Sequence, residues 1–447
     1  MKNTPTVQGI VKRHPDGFGF VIPDSIDHPD VFISRGEMDG VMTNDRVEVE
    51  VKQKGQTERY YGKVIKVLEH GVKKIVGRFR KEQNGDGRIV DGVGHWGVIL
   101  RVPFKNSRGA INDDLVAVEI TQYPTEGKEF LGKVIDIIGD AEDPLNDIKR
   151  VLHNHEIPQQ FSAKTMSEVA AMPDEVLERE HQGRKDLRDL PLITIDGVTA
   201  KDFDDAICVK TDSKGFKVWV AIADVSHYVK MGTALDDDAY ERGTSVYFPN
   251  FVVPMLPEKL SNGLCSLKPK VDRLALVCEM HLDFQGDIQD SEIYEAVMYS
   301  HARVTYGEAQ EIISEEKTHK QQNVQDNIMN AEGLAKILMA KRFREGSLDL
   351  DIPETEVIVD EAGNTVDIIR AERVFAHKLI EELMLLANVC VAKHLDKAKI
   401  PAMYRIHEPP ERENVETLEK FLHNFGSKKK LSGGGLQKKI TKSLQEY

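Results

Sequence analysis

The chain of 447 residues has few cysteines, few aromatic residues and no long apolar run, and each shortage narrows what it can be. Its four cysteines, Cys208, Cys265, Cys278 and Cys390, lie far apart with no C-x-x-C pair. That spacing argues against both a zinc site and a disulfide framework. No segment approaches the roughly 18 consecutive apolar residues of a membrane span, and the opening MKNTPTVQGI lacks the apolar core of a signal peptide. The expectation is a cytosolic, cytoplasmic chain with no membrane partner. Positive charge is not in excess either, the formal net charge being −14, although phosphate affinity comes mainly from lysine and arginine. Whole-chain charge does not decide the matter, because an acidic protein can carry a basic groove and bound cations cancel part of a carboxylate cluster.

Two familiar motifs are also missing. HNHEIPQ (153–159) has Gln159 where H-E-x-x-H needs its second histidine, and IHEPPE (406–411) fails the same test. SGGGLQKK (432–439) lacks the Lys-Ser/Thr ending of a phosphate-binding P-loop.

What is present begins with an internal repeat. YGKVIKVLEHG (61–71) reappears as LGKVIDIIGDA (131–141), and NDRVEVEV (44–51) is echoed by NDDLVAVEI (112–120). An offset of about seventy residues predicts two copies of one unit. Short β-branched runs alternate with Gly, Asn, Asp and Pro, which predicts small all-β barrels. In the first copy, DGFGFVIPD (16–24) and DVFIS (30–34) put Phe18, Phe20 and Phe32 on one sheet face by strand alternation, spaced by glycines. Bases stacked on such rings gain about 1 to 3 kcal/mol each whatever their sequence. Any one of the rings could instead fill a barrel core. The second copy, GRFRKEQNGDGRIV (77–90), offers only Phe79 for stacking. The following segment, 145–180, has Pro punctuation and helical spacing at Val169, Val176 and Leu177, and reads as a connector with one or two helices.

TIDGVTAKDFDDAI (194–207) then gathers four aspartates, Asp196, Asp202, Asp204 and Asp205. Asp196 ends one predicted strand before a glycine, and the other three enter the next. One or two aspartates at such turns need no special explanation. Four raise one another's pKa and destabilise the fold unless they are protonated or neutralised by a cation. Hard oxygen ligands of this kind suit magnesium or manganese, which take one or two protein carboxylates and fill the other positions with water and substrate phosphate.

These residues resemble the ribonuclease II and ribonuclease R family. DLRDLPLITIDGVTAKDFDDAI is similar to its catalytic opening, and RGTSVYFPNFVVPMLPEKLSNGLCSL (242–267) and AHKLIEELMLLANV (376–389) are similar to later signatures. RGTSVYFP and LSNGLCSL are closer to the ribonuclease R branch. The G-F-G-F and V-F-I segments resemble the ribonucleoprotein motifs of cold-shock domains.

The resemblance implies a multidomain chain in which two tandem all-β OB-fold cold-shock barrels precede a partial mixed α/β RNB catalytic domain. The expected divisions are barrels at 1–70 and 71–142, a helical connector at 143–185, and the N-terminal part of the catalytic domain at 186–447. It implies magnesium-dependent degradation of single-stranded RNA from its 3′ end to nucleoside 5′-monophosphates. Asp196, Asp202 and Asp205 would anchor metal, with Asp204 also among the metal-holding carboxylates and the one whose loss costs most activity. Tyr247 and Tyr306 match nucleotide-contacting tyrosines. Leu350 stands where the family commonly has an aromatic ring, which removes one stacking face. Family members continue past LQKKITKSLQEY with an arginine-bearing segment and an S1 barrel, so the expectation includes a shortened chain or one half of a split enzyme with a separately encoded C-terminal half. The apolar helix 377–395 is expected to need partners on more than one face. The rival reading is an RNA-binding module without turnover.

Overall fold

The computed structural model describes residues 5–14, 16–25, 28–38, 40–53, 60–90, 99–123, 130–348, 352–360, 362–406, 408–426, 430–431 and 438–440. The chain divides into two compact units, one holding the first 160 residues and two short later segments, the other holding most of the remainder.

Within the first unit, strands β1 (Thr6–Arg13), β2 (Gly19–Pro23), β3 (Val31–Ile33), β4 (Arg46–Gln53) and β5 (Tyr60–Glu69) close into a barrel in the order β1-β2-β3-β5-β4. Alternation drives the closure: Val11, Val21, Val31, Ile33, Val47 and Val49 turn inward and are fully buried. Each such side chain contributes about 1.5 to 3 kcal/mol by leaving water. A second closed barrel repeats the plan with β6 (Lys74–Lys81), β7 (Gly87–Val90), β8 (Arg101–Val102), β9 (Asp114–Gln122) and β10 (Leu131–Asp140), in the order β6-β7-β8-β10-β9. The repeated sequence segments fall on β4 and β9 and on β5 and β10, as the echo predicts. Asp45 locks the barrel junction. Its buried carboxylate accepts from the Met42 and Gly71 amides, and His70, 3.2 Å away, stacks on Tyr123.

Helix α1 (Pro144–Asn154) follows, capped by Asp143. The second unit opens with α2 (Ala163–Ala170) and β11 (Lys185–Leu187). It continues through β12 (Ile193–Asp196), β13 (Asp205–Thr211), β14 (Phe216–Ala223), α3 (Val225–Tyr228), α4 (Ala234–Arg242), β15 (Val246–Tyr247) and β16 (Val252–Val253). After β17 (Asp272–Leu282), β18 (Ile288–Tyr299) and β19 (Ala302–Thr305) come α5 (Tyr306–Ile313), α6 (Gln322–Glu345) and α7 (Phe375–Lys397). Seven strands form one mixed sheet, β11-β18-β17-β14-β13-β12-β19, parallel only at its two edge pairs.

The central strands are buried on both faces, so they read as near-continuous apolar runs. One face carries Ile193, Ile207, Val218 and Val220 under α5, α6 and α7. The other carries Ala206, Cys208, Trp219 and Ala221 against Leu235, Leu260 and Leu264. Helix α7 buries Leu379, Ile380, Leu383, Ala387 and Cys390, while Leu385 and Val389 stay exposed. All four cysteines are buried and free. Among the described residues, no helix is long and apolar enough to cross a membrane.

Candidate functional site

Asp196 and Asp205 come together because β12 and β13 run antiparallel side by side. Their register is confined to Ile193↔Ile207, and the freed backbone of β13 is satisfied from α6 instead. There Asn327, buried, donates to the Pro191 and Ile207 carbonyls and accepts from the Val209 amide. Asn327 thus stands between the strands at their Pro191–Val209 end, and Asp196 and Asp205 lie at the other. Strand β13 begins at Asp205, so Asp202 and Asp204 lie in the loop before it and do not enter the strand as the local pattern suggested.

That loop is fixed from outside its own sequence. Ser266, fully buried, donates its hydroxyl to the Lys201 carbonyl at 2.8 Å and accepts from the Phe203 amide at 3.1 Å. The Leu267 amide donates to the Phe203 carbonyl at 2.8 Å, and the Ser266 carbonyl accepts from Arg273 Nε at 2.7 Å. Phe203 is thereby held inward, and Asp202 and Asp204 flank it in the loop. The brace comes from LSNGLCSL, which includes the π-helical turn Leu260–Leu264, a form frequent at functional sites.

Electrostatics make the cluster costly. Burial, offset in part by the neighbouring Thr194 hydroxyl and by Arg303 and reinforced by Asp202 and Asp204, pushes Asp196 up to about 6. Burial, with Asp196 and Asp204 adding to it, pushes Asp205 up to about 6 as well. Asp204 is also raised, by burial and then by Asp202. Asp196 Oδ2 is buried without a hydrogen-bond partner. An orphaned carboxylate oxygen among like charges is the environment a cation relieves. No three described His, Cys, Asp or Glu side chains converge on a single point suited to a metal ion. By their chemistry, oxygen-only donors beside an unsatisfied carboxylate oxygen fit a hard ion that takes one or two carboxylates and completes its shell with water or phosphate oxygens, as magnesium does.

Neighbouring groups complete the site. Asp196 pairs with Thr305 across β12 and β19, and Thr305 caps α5 through a reciprocal bond with Glu308. The positive end of that helix therefore adjoins the cluster. Arg303 Nη2 donates to the Gly197 and Val198 carbonyls, each at 2.8 Å. The phenol of Tyr247 donates to Asp202 Oδ2 at 2.7 Å, and this bond, with burial second, pushes Tyr247 up to about 12. Its ring is 62% exposed. Tyr306, raised by burial and by the charges of Asp196 and Asp205, is partly buried against the core and stacks on His377 at 4.0 Å. Leu350 lies outside the described residues.

In the first barrel, Phe18, Phe20 and Phe32 stand together with ring centroids 5.5 to 5.9 Å apart. Two rings that alternation had not included extend the face: His14 stacks on Phe18 at 4.2 Å, and Tyr61 meets Phe32 at 5.5 Å. Tyr61 opens the repeated segment on a strand distant in sequence. Phe79 does not offer a ring for stacking. It is fully buried, because Gly87 on the paired strand has no side chain and the Phe79 ring fills that space, only 2.1 Å from where a Cβ would stand. A cavity of about 680 Å³ beside α1, lined by Lys74, Ile135, Leu152 and His153 among others, contains none of these residues.

Comparison with known proteins agrees with this fold. A model of the RNB domain matches residues 184–447, a ribonuclease B OB domain matches 9–67 and a cold shock domain matches 98–162. Ribonuclease R of Vibrio parahaemolyticus is 38% identical over 96% of this chain and 52% of its own length. That of Escherichia coli is 38% identical over 94% and 52%. The chain thus spans about half the length of these curated relatives. The solved structure of Mycoplasma genitalium RNase R in complex with ribose methylated single-stranded RNA superposes with a TM-score of 0.92 at 29% identity, covering 98% of this chain and 70% of that one.

Proposed function

Because the chain belongs to the RNB-domain family that includes ribonuclease R, we propose that it carries the RNA-gripping barrels and the metal-binding part of a 3′-to-5′ exoribonuclease. The substrate is the 3′ end of single-stranded RNA, and the product is nucleoside 5′-monophosphate. In this reading the barrels occupy 1–70 and 71–142, the connector 143–185 and the catalytic portion 186–447.

The observation that carries the proposal is the aspartate cluster with its unsatisfied Asp196 Oδ2. Asp196, Asp202 and Asp205 would hold magnesium, or manganese in its place. Such ions, when bound, lower the pKa of water and neutralise charge on a scissile phosphate. Asp204, beside them in the loop that precedes β13, accepts the proton that the attacking water gives up. Tyr247 keeps Asp202 in place through its phenol and offers its exposed ring to a base near the 3′ end. Tyr306, backed by His377, contacts a second nucleotide. Phe18, Phe20 and Phe32 stack upstream bases without regard to sequence.

The test uses purified protein with 3′-labelled and 5′-labelled single-stranded RNA, in magnesium and in chelator, beside Asp204→Asn. Metal-dependent release of mononucleotides from the 3′ end, absent in the variant, is the expected result. A second reading, RNA binding without turnover, is favoured by one observation alone: the ring face of the first barrel needs nothing from the aspartates. A gel shift without cleavage in magnesium would select it and overturn the first.

A further inference from the structure

The two barrels share one strand order, so their rows of paired residues can be compared position by position. In the first barrel a single row crosses four strands: Lys12 pairs with Phe20, Phe20 with Phe32, and Phe32 with Tyr61. In the second, Arg80 pairs with Arg88, Arg88 with Arg101, and Arg101 with Leu131. Strand for strand, β6 stands for β1, β7 for β2, β8 for β3 and β10 for β5. The row Lys-Phe-Phe-Tyr has become Arg-Arg-Arg-Leu.

Like charges set directly opposite one another across strands are destabilising, so three arginines in one row need an external reason. Local carboxylates supply only part of it. Asp113 accepts from Arg80 at 2.8 Å but is shared with Arg78, which also reaches Glu142. Arg101 lies 3.7 Å from Glu82 and 3.6 Å from Asp86. Arg88, at the centre of the row, is exposed and makes no ion pair among the described residues. Among the described residues an exposed ring lies near the row's end: Phe104, 64% exposed, with Lys81 Nζ 5.9 Å from its centroid and its amide held by Asp86.

We propose that this face of the second barrel is a backbone track for single-stranded RNA, in which Arg80, Arg88 and Arg101 bind successive phosphodiesters where the first barrel stacks bases. The inference rests on the reading of the chain as an RNA-binding protein and adds a division of labour between its barrels. Guanidinium forks suit phosphate oxygens, and an arginine row is indifferent to base identity. The acidic chain thereby gains the local positive surface that its net charge of −14 withholds.

Arginine–phosphate binding and base stacking differ in salt dependence, which makes the division measurable. Binding of a fluorescent single-stranded oligoribonucleotide to the full chain is followed by anisotropy across a salt series, in chelator so that no turnover intervenes. Removing one phosphate-binding side chain flattens the slope of log affinity against log salt by about 0.7 for a single strand. The double variant Arg88→Gln, Arg101→Gln is expected to flatten it by about twice that. Arg88→Lys is expected to keep the wild-type slope. Phe20→Ala is expected to weaken binding with the slope unchanged.

Should the double variant unfold, Arg88→Gln alone decides, since its side chain is exposed and lies outside the barrel core. A wild-type slope in the arginine-to-glutamine variants, whether or not affinity falls, overturns the proposal. That failure is distinct from failure of the exonuclease reading, which would appear as absent mononucleotide release in magnesium while RNA is still bound.

Discussion

Ser266 donates its hydroxyl to the carbonyl oxygen of Lys201, 65 residues earlier in the chain, across a distance of 2.8 Å. The same hydroxyl accepts from the Phe203 amide, so one buried side chain sets the path of the loop that carries Asp202 and Asp204. Replacing it by alanine leaves two backbone groups without partners, at a cost of about 1 to 3 kcal/mol. Ser266→Ala is expected to lower thermal stability modestly and to weaken Mn²⁺ uptake by about tenfold, read by calorimetric titration. Unchanged Mn²⁺ affinity in a folded variant would remove Ser266 from the site.

Tyr247 has two separable contributions, a phenol on Asp202 and an exposed ring. Tyr247→Ala loses both, and Tyr247→Phe loses only the hydrogen bond. Stacking at about 1 to 3 kcal/mol per base predicts at least a fivefold weaker grip on short oligoribonucleotides for the alanine variant. The phenylalanine variant is expected to bind them as the wild type does. Equal loss in both, measured by anisotropy in chelator, would assign the effect to the phenol instead.

The aromatic residues of the two barrels separate stability from binding. Phe79→Ala empties a fully buried position and is expected to cost about 3 to 5 kcal/mol, seen as a lower unfolding midpoint in denaturant. Phe20→Ala removes a partly exposed ring and is expected to leave that midpoint nearly unchanged while weakening RNA binding. The reverse pattern would exchange their roles.

These contrasts mark where local sequence pattern stops being informative. The repeat and the period-two alternation predicted paired barrels and the meeting of Phe18, Phe20 and Phe32, because both depend on neighbours in sequence. Phe79 follows the same alternation but falls on the inner face, a choice settled by Gly87 on another strand. Ser266, Arg303, His377 and Tyr61 reach their partners only through tertiary contacts, and no local spacing marks them. The aspartate cluster was legible as charge density. The adjacency of β12 and β13 that brings Asp196 and Asp205 together is bridged at its other end by Asn327, 118 residues beyond Val209.

A buried network away from the site governs acid stability. Glu279 lies with Lys217 Nζ at 2.6 Å, accepts from the Tyr294 phenol at 2.6 Å and faces Lys185 at 3.4 Å. Burial opposes its charge, yet these partners prevail and hold its pKa down to about 2. A depressed carboxylate contributes stability in full above its unfolded value of 4.5, and that contribution is lost as pH falls from there toward 2. Glu279→Gln is expected to cost about 2 kcal/mol at neutral pH and to unfold with a shallower pH dependence across that window. Parallel acid-denaturation curves for variant and wild type would contradict the assignment.

The account depends above all on divalent cations entering among Asp196, Asp202, Asp204 and Asp205, and calorimetric titration of the folded chain with Mn²⁺ tests this most directly. Saturable uptake by the wild type, strongly weakened in the double variant Asp196→Asn, Asp205→Asn, is the predicted result. A wild-type chain that takes up no Mn²⁺, or a double variant that takes it up equally well, would contradict it.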